Sequence, residues 1–171
     1  MTLSAHIYCL DANVIIQAWQ NYYSPKLCPD YWDILNELGN KGIIFIPEEV
    51  SNEIVHREEN EDDLSKWLRK SSIPVHRTDE MVISCWKKIL HVNPLHKLLV
   101  DNIKNRSLAD PWVISHAMKM RATVVTKENK VTSLNAKTVK IPNVCENMGI
   151  RCINDFDFLQ ELDMKFSCRL N

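Results

Sequence analysis

The chain has 171 residues, 45% of them hydrophobic and 25% charged, which is ordinary composition for a soluble protein and long enough for one domain with a substantial core. A formal net charge of −1 excludes a polycation that would attract nucleic acid from every side, so any contact with a polyanion must be local. No apolar run approaches the roughly 20 residues of a membrane span, and the start "MTLSAHIYCL" lacks the basic segment and cleavage site of a secretory signal; the expected location is the cytoplasm.

Taken in order, the chain alternates short β-like runs with helix-length segments. Strands are predicted over residues 7–10, 43–46, 73–76, 123–126 and 150–153. A helix resumes the apolar pattern directly after the first strand. Further helices are predicted over 29–40, 47–57, 62–70, 79–90, about 95–103, 111–120 and 155–164. Pro47 and Pro111 suit first helical turns, and Gly149 suits a stop before "IRCIN". Repeated βα units argue for an α/β fold with a central parallel sheet of about five strands and helices on both faces. The single domain over 1–171 would carry a helical elaboration around 78–106. The six cysteines show no CxxC pair and no zinc-ligand spacing, so reduced thiols are expected.

The stretch "IYCLDANVIIQAW" sets the functional question, because a buried strand runs straight into Asp11 and, two residues on, Asn13. Taken alone, helix capping is the better explanation of such residues. Yet the carboxyl end of a parallel strand is where open α/β sheets place ligands. Three more acids fall on the same edge if the sheet is parallel. Glu53 follows the second strand in "PEEVSNEIVHR", beside the Val50 and Ile54 stripe and so turned toward the body of the protein. Asp110 opens "DPWVISHAM", also a capping pattern, and Glu128 follows the fourth strand in "TVVTKEN", a polar loop. Acids converging without matching basic residues imply a bound divalent cation. Charge is segregated along the chain: residues 48–63 are rich in Asp and Glu, whereas 119–140 hold Lys119, Arg121, Lys127, Lys130, Lys137 and Lys140 against Glu128 alone. The six histidines are scattered, and His116 sits on a helix whose apolar face would bury it.

The ordered segments "LDANVII", "IPEEVSNEI", "ADPWVISHA" and "ATVVTKEN" resemble the motif set of PIN-domain nucleases. The resemblance runs from about residue 6 to 163. It is nearest to a bacterial and archaeal PIN-like branch known as a domain of unknown function, through "DPW" and "VKIPNVCENMGIRCIN". It implies a three-layer α/β/α PIN-like fold and an acidic pocket of Asp11, Glu53, Asp110 and Glu128, supported by Asn13 and Thr126. Many PIN domains have Asp where this chain has Glu128, which would loosen a second metal position.

From this follows an expected metal-dependent endoribonuclease, hydrolysing RNA phosphodiester bonds with Mg²⁺ or Mn²⁺. Lys127 and Lys130, read as exposed loop lysines beside Glu128, would position single-stranded or structured RNA by its backbone. Small PIN proteins are frequently toxins restrained by an antitoxin, so such a partner is expected by analogy, and a homodimer is compatible with it. Two rivals stand: a PIN-like module that binds RNA or protein without cutting, and a haloacid-dehalogenase-like phosphotransferase. The second wants Asp where this chain has Asn13.

Overall fold

The computed structural model describes residues 6–56, 61–100, 108–132 and 139–167. Five parallel strands form its centre: β1 (Tyr8–Leu10), β2 (Ile44–Pro47), β3 (Val75–His76), β4 (Thr123–Val125) and β5 (Cys152–Ile153). Their order across the sheet is β3-β2-β1-β4-β5. In register, Cys9 lies between Phe45 and Val124, and Val125 pairs with Ile153. The middle strands are buried on both faces, so β1, β2 and β4 read as unbroken apolar runs rather than alternating ones.

The helices are α1 (Ala12–Gln17), α2 (Pro29–Asn40), α3 (Glu48–Val55), α4 (Asp63–Lys70), α5 (Glu80–Val92), α6 (Asp110–Met120), α7 (Ile141–Met148) and α8 (Asp155–Glu161). A π-helical turn, Ala18–Tyr22, continues α1, and a 3₁₀ segment, Pro94–Leu99, follows α5. From β1 the chain steps outward to β2 and β3, then crosses back to β4 and on to β5. Right-handed crossovers running in opposite directions must lie on opposite faces. Accordingly α1, α3 and α4 pack among themselves, and α5, α6 and α7 do likewise. The result is three layers, with a reversal of strand order between β1 and β4.

Most predicted elements stand where the apolar periods placed them, and α2 has the predicted bounds. Three differ. Pro47 ends β2 and takes the position before α3, with extended backbone (φ −63°, ψ 154°), because the strand's last pairing, Pro47 with His76, holds it in the sheet. The segment predicted as a helix over about 95–103 is 3₁₀ as far as Leu99, and 101–103 lie outside the described residues. Helix α7 is additional; its signal was present as Ile141, Val144, Cys145 and Met148 at helical spacing with Pro142 in the first turn. Five cysteines, Cys9, Cys28, Cys85, Cys145 and Cys152, are free thiols. Among the described residues no helix is long and apolar enough to cross a membrane.

Gly39, in the last turn of α2, lets that helix touch the chain entering β3. A Cβ there would lie 2.6 Å from the Ser72 carbonyl oxygen and 2.8 Å from Ile73 Cα, both backbone atoms that cannot swing aside. Gly42 has φ +65° but nothing within 4 Å of a built Cβ. Urea denaturation should therefore show Gly39→Ala losing about 3 kcal/mol by overpacking, against about 1 kcal/mol for Gly42→Ala from its left-handed backbone. Equal losses would mean that the α2 contact is not rigid.

Candidate acidic site at the carboxyl edge of the sheet

Strand reversal opens a crevice at the carboxyl ends of β1 and β4, the position where open α/β sheets take ligands. Asp11 and Thr126 are the first residues beyond those two strands and both are buried. Asp11 has the extended backbone of a helix cap, yet its side chain makes no capping hydrogen bond one turn into α1 and meets only the adjacent Ala12 amide. Its Oδ2 instead accepts from Thr126 Oγ1 at 2.8 Å. Simple capping therefore does not account for the carboxylate.

The Thr126 hydroxyl is a junction. Besides donating to Asp11, it accepts from Asn13 Nδ2 at 3.2 Å and from the Glu128 backbone N–H at 3.1 Å. A hydroxyl has one proton to give and two lone pairs to fill, so all its capacity is used. Asn13 is committed at both ends, its Oδ1 accepting from the Lys127 N–H at 3.0 Å. The amide thus clamps the loop after β4 to α1, a task for which a carboxylate has no donor. This gives Asn13 a reason to be Asn and removes the motive for reading it as a displaced phosphotransferase acid.

Electrostatics tie three of the acids together. Burial pushes the Asp11 carboxyl up to about 7; the Thr126 hydrogen bond opposes that rise, and the negative charges of Glu128 and Glu53 add to it. Glu53 is itself raised by desolvation. It is nonetheless exposed as a residue, not turned into the body as its place beside Val50 and Ile54 suggested. On an eight-residue helix with only Val50 and Ile54 buried, position 53 lies at the open rim. Asp110 is buried in the first turn of α6, where Ala109 holds the cap position. Its charge and those of Asp11 and Glu128 all bear on Lys140.

Lys140 corrects the expectation of uncompensated acids. Its Nζ donates to Glu128 Oε1 at 2.7 Å, while the Ile141 N–H, opening α7, donates to Glu128 Oε2 at 2.9 Å. Glu128 is therefore not a solvated loop residue; it holds the start of a helix whose amides attract negative charge. The hydrogen bond to Glu128 raises Lys140 above the usual lysine range.

Lys127 and Lys130 also differ from exposed loop cations. Lys127 is partly buried, with Nζ 2.7 Å from Asp155 Oδ2 and over the rings of Tyr22 (4.5 Å) and Phe156 (5.2 Å). A buried Asp at the start of α8 and two half-exposed rings claim its charge. Lys130 pairs with Glu146 of α7 at 2.5 Å and stays largely exposed. Glu49, the acid one turn before Glu53, turns away from the crevice: its Oε1 accepts from Thr78 Oγ1 at 2.6 Å, and that hydroxyl lies 3.2 Å from His116 Nε2. His116 is buried on α6, and burial lowers it to about 4, so it is neutral near pH 7.

In donor type the acids fit a hard divalent cation, which takes carboxylate oxygens. Asp11, desolvated and pressed by two like charges, is the group such an ion would relieve. As arranged, however, no three Asp, Glu, His or Cys side chains among the described residues are grouped to hold a metal. Both Glu128 oxygens are bonded elsewhere, one to the Lys140 ammonium and one to the Ile141 N–H.

The linkage is testable in metal-free protein kept in chelator. With a folded pKa near 7 against an unfolded value near 4, Asp11 is ionised in both states above pH 7, and there its burial costs the folded form fully. Below about pH 4 it is protonated in both states and costs nothing. Asp11→Asn should therefore be more stable than wild type at pH 8, with an advantage that shrinks steadily toward pH 4 in thermal melts. A pH-independent difference would mean that Asp11 is not held at raised pKa.

A family described as Domain of unknown function (DUF4411) matches residues 8–166. No curated protein matches the chain. Among solved structures, the chain is similar to one from VapBC2 of Rickettsia felis bound to a DNA fragment from its promoter, at TM-score 0.58 and 17% identity over 86% of this chain and 98% of that one. FitAcB from Neisseria gonorrhoeae follows at TM-score 0.53 and 14% identity, covering 88% and 99%. VapBC-1 from nontypeable Haemophilus influenzae matches at 0.51 and 16%, covering 86% and 97%. At such identities the likeness is one of fold, and the fold is PIN-like.

Proposed function

The chain belongs to the DUF4411 family, and we propose that it is a divalent-metal-dependent endoribonuclease, the toxin half of a toxin-antitoxin pair. The observation that carries this reading is Asp11: a buried carboxylate at the strand-order reversal, not used as a helix cap, and pressed by the charges of Glu53 and Glu128. An acid so placed destabilises the protein on its own, which is the usual signature of a functional group.

Asp11 and Asp110 would hold Mg²⁺ or Mn²⁺, with Glu53 and Glu128 as further ligands directly or through water. When bound, the ion supplies an activated water and neutralises charge on the scissile phosphate. Thr126 and Asn13 orient Asp11 and the loop after β4 through the bonds described above. Lys130, exposed at the surface, is free to exchange Glu146 for phosphate oxygens. Lys127 acts indirectly, anchoring α8 and the Tyr22 and Phe156 rings beside the crevice.

The antitoxin partner is supported by the company of the fold: the similar chains come from VapBC and FitAB assemblies. A partner of this kind would cover the acidic mouth. The bonding of Glu128 to Lys140 and the Ile141 N–H, with no metal-ready trio among the described residues, favours one alternative, a PIN-like module that binds RNA or protein without cutting.

Cleavage separates the two. Purified protein with Mn²⁺ should cut a labelled single-stranded RNA, chelator should stop it, and Asp11→Asn and Asp110→Asn should each lower the rate at least about a hundredfold, the scale of losing a group that stabilises the transition state. Calorimetry should show Mn²⁺ binding lost in Asp11→Asn. Binding of RNA with no cutting under any divalent cation would leave the module reading standing.

A further inference from the structure

Lys127 and Asp155 form an ion pair withdrawn from water, their side chains only 11% and 8% exposed. Enclosing two charges in this way costs desolvation that an open pair avoids. What the enclosed ammonium touches besides Asp155 is a pair of aromatic rings: Tyr22, 4.5 Å from its Nζ, and Phe156, 5.2 Å away. The rings stand 6.4 Å apart at 68° to each other and are therefore fixed around one cation. Yet they themselves stay in water, Tyr22 45% and Phe156 50% exposed.

Both rings are rooted in the fold. Tyr22 closes the π-helical turn after α1, and its neighbour Tyr23 stacks at 4.6 Å on Tyr31 of the buried core. Phe156 lies in the first turn of α8, which the Asn154 side chain caps by accepting from the Asp157 N–H at 2.9 Å. A single exposed ring is ordinary. Two rings from distant parts of the chain, braced on an enclosed ammonium and open outward, make a rigid surface for a flat partner. Its place is also defined, because the Lys127 N–H is bonded to Asn13 and the preceding residue, Thr126, aims Asp11. The rings thus stand one lysine side chain from the acidic crevice. Lys26, in the turn closed by the Leu27 and Cys28 N–H groups on the Ser24 carbonyl, is exposed and has no ion-pair partner among the described residues. Flat ring faces followed by a free cation complement a polyanion with neutral planar bases better than an apolar protein segment.

We propose that Tyr22 and Phe156 are a base-stacking platform for single-stranded RNA beside the acidic crevice, with Lys26 on the phosphate backbone. The proposal rests on the RNA-directed reading above, but on RNA contact alone and on no metal. Bases in a duplex are already stacked on one another, so the platform takes unpaired RNA. Every base has a π face, so it does this without reading sequence.

Fluorescence anisotropy tests this in chelator, with a labelled single-stranded RNA about 12 nucleotides long, within the span of such sites. Tyr22→Leu and Phe156→Leu, which keep apolar bulk but lose the ring, should each weaken binding about tenfold. Tyr22→Phe and Phe156→Tyr, which keep the ring, should bind as wild type does. Lys26→Ala should weaken binding and lower the salt slope by about one. In wild-type protein, needing no substitution, 2-aminopurine placed in the same RNA should be quenched on binding, and a duplex of that sequence should compete poorly. Failure of the wild type to bind the RNA would overturn the platform. So would wild-type affinity in either Leu variant, a 2-aminopurine that stays bright at every position, or equal competition by the duplex; cleavage in Mn²⁺ alongside any of these would leave the nuclease reading standing without it. Binding and quenching with no cleavage in Mn²⁺ would sink the nuclease reading and support the platform.

Discussion

One hydroxyl group sets the geometry of the carboxyl edge. Thr126 Oγ1 gives its proton to Asp11 and receives those of Asn13 and the Glu128 main chain, joining the ends of β1 and β4 across the strand reversal. Because every bond it can make is made, rotation of the hydroxyl is not free, and Asp11 Oδ2 is aimed by it. The remaining parts of the edge depend on that junction. The Lys127 N–H reaches Asn13 because the loop is pinned, and Glu128 meets α7 because its own main chain is pinned.

The burial of Asp11 is affordable to the fold only in the company around it. A carboxylate enclosed by apolar strands is disfavoured when ionised, and the nearby Glu53 and Glu128 make this worse. Two hydrogen-bonding groups work against it: the Thr126 hydroxyl and the backbone N–H of Ala12. The strand ends that carry Asp11 and Thr126, and the start of α6 beside Asp110, are all rooted in the core.

Basic residues around the edge are distributed more economically than their number in the chain suggests. Lys127 is consumed by Asp155 and two aromatic rings, Lys119 by Asp79, Lys130 by Glu146 and Lys140 by Glu128. The Lys130 and Lys140 side chains keep more of their surface in water, 47% and 40%, than Lys119 or Lys127. Charge along a sequence and charge available at a surface are therefore different quantities here.

Periodicity and residue type made the layered parallel fold legible from the sequence and marked Asp11 and Asn13 at the end of the first strand, whereas Thr126 entered only through the resemblance to PIN-domain nucleases. This was possible because strands buried on both faces must be continuously apolar, and a polar residue ending such a run is conspicuous. Helix α7 was readable in the same terms from Ile141, Val144, Cys145 and Met148. The partners were not readable. That Glu53 lies at an open rim, that Lys127 pairs with Asp155, and that Lys140 closes on Glu128 each join residues far apart in the chain or depend on which side of a short helix faces out. Local pattern fixes where a side chain begins; only packing among α7, α8 and the strand ends decides what its charged tip meets, because an ion pair forms between atoms brought together in space and carries no period along the chain.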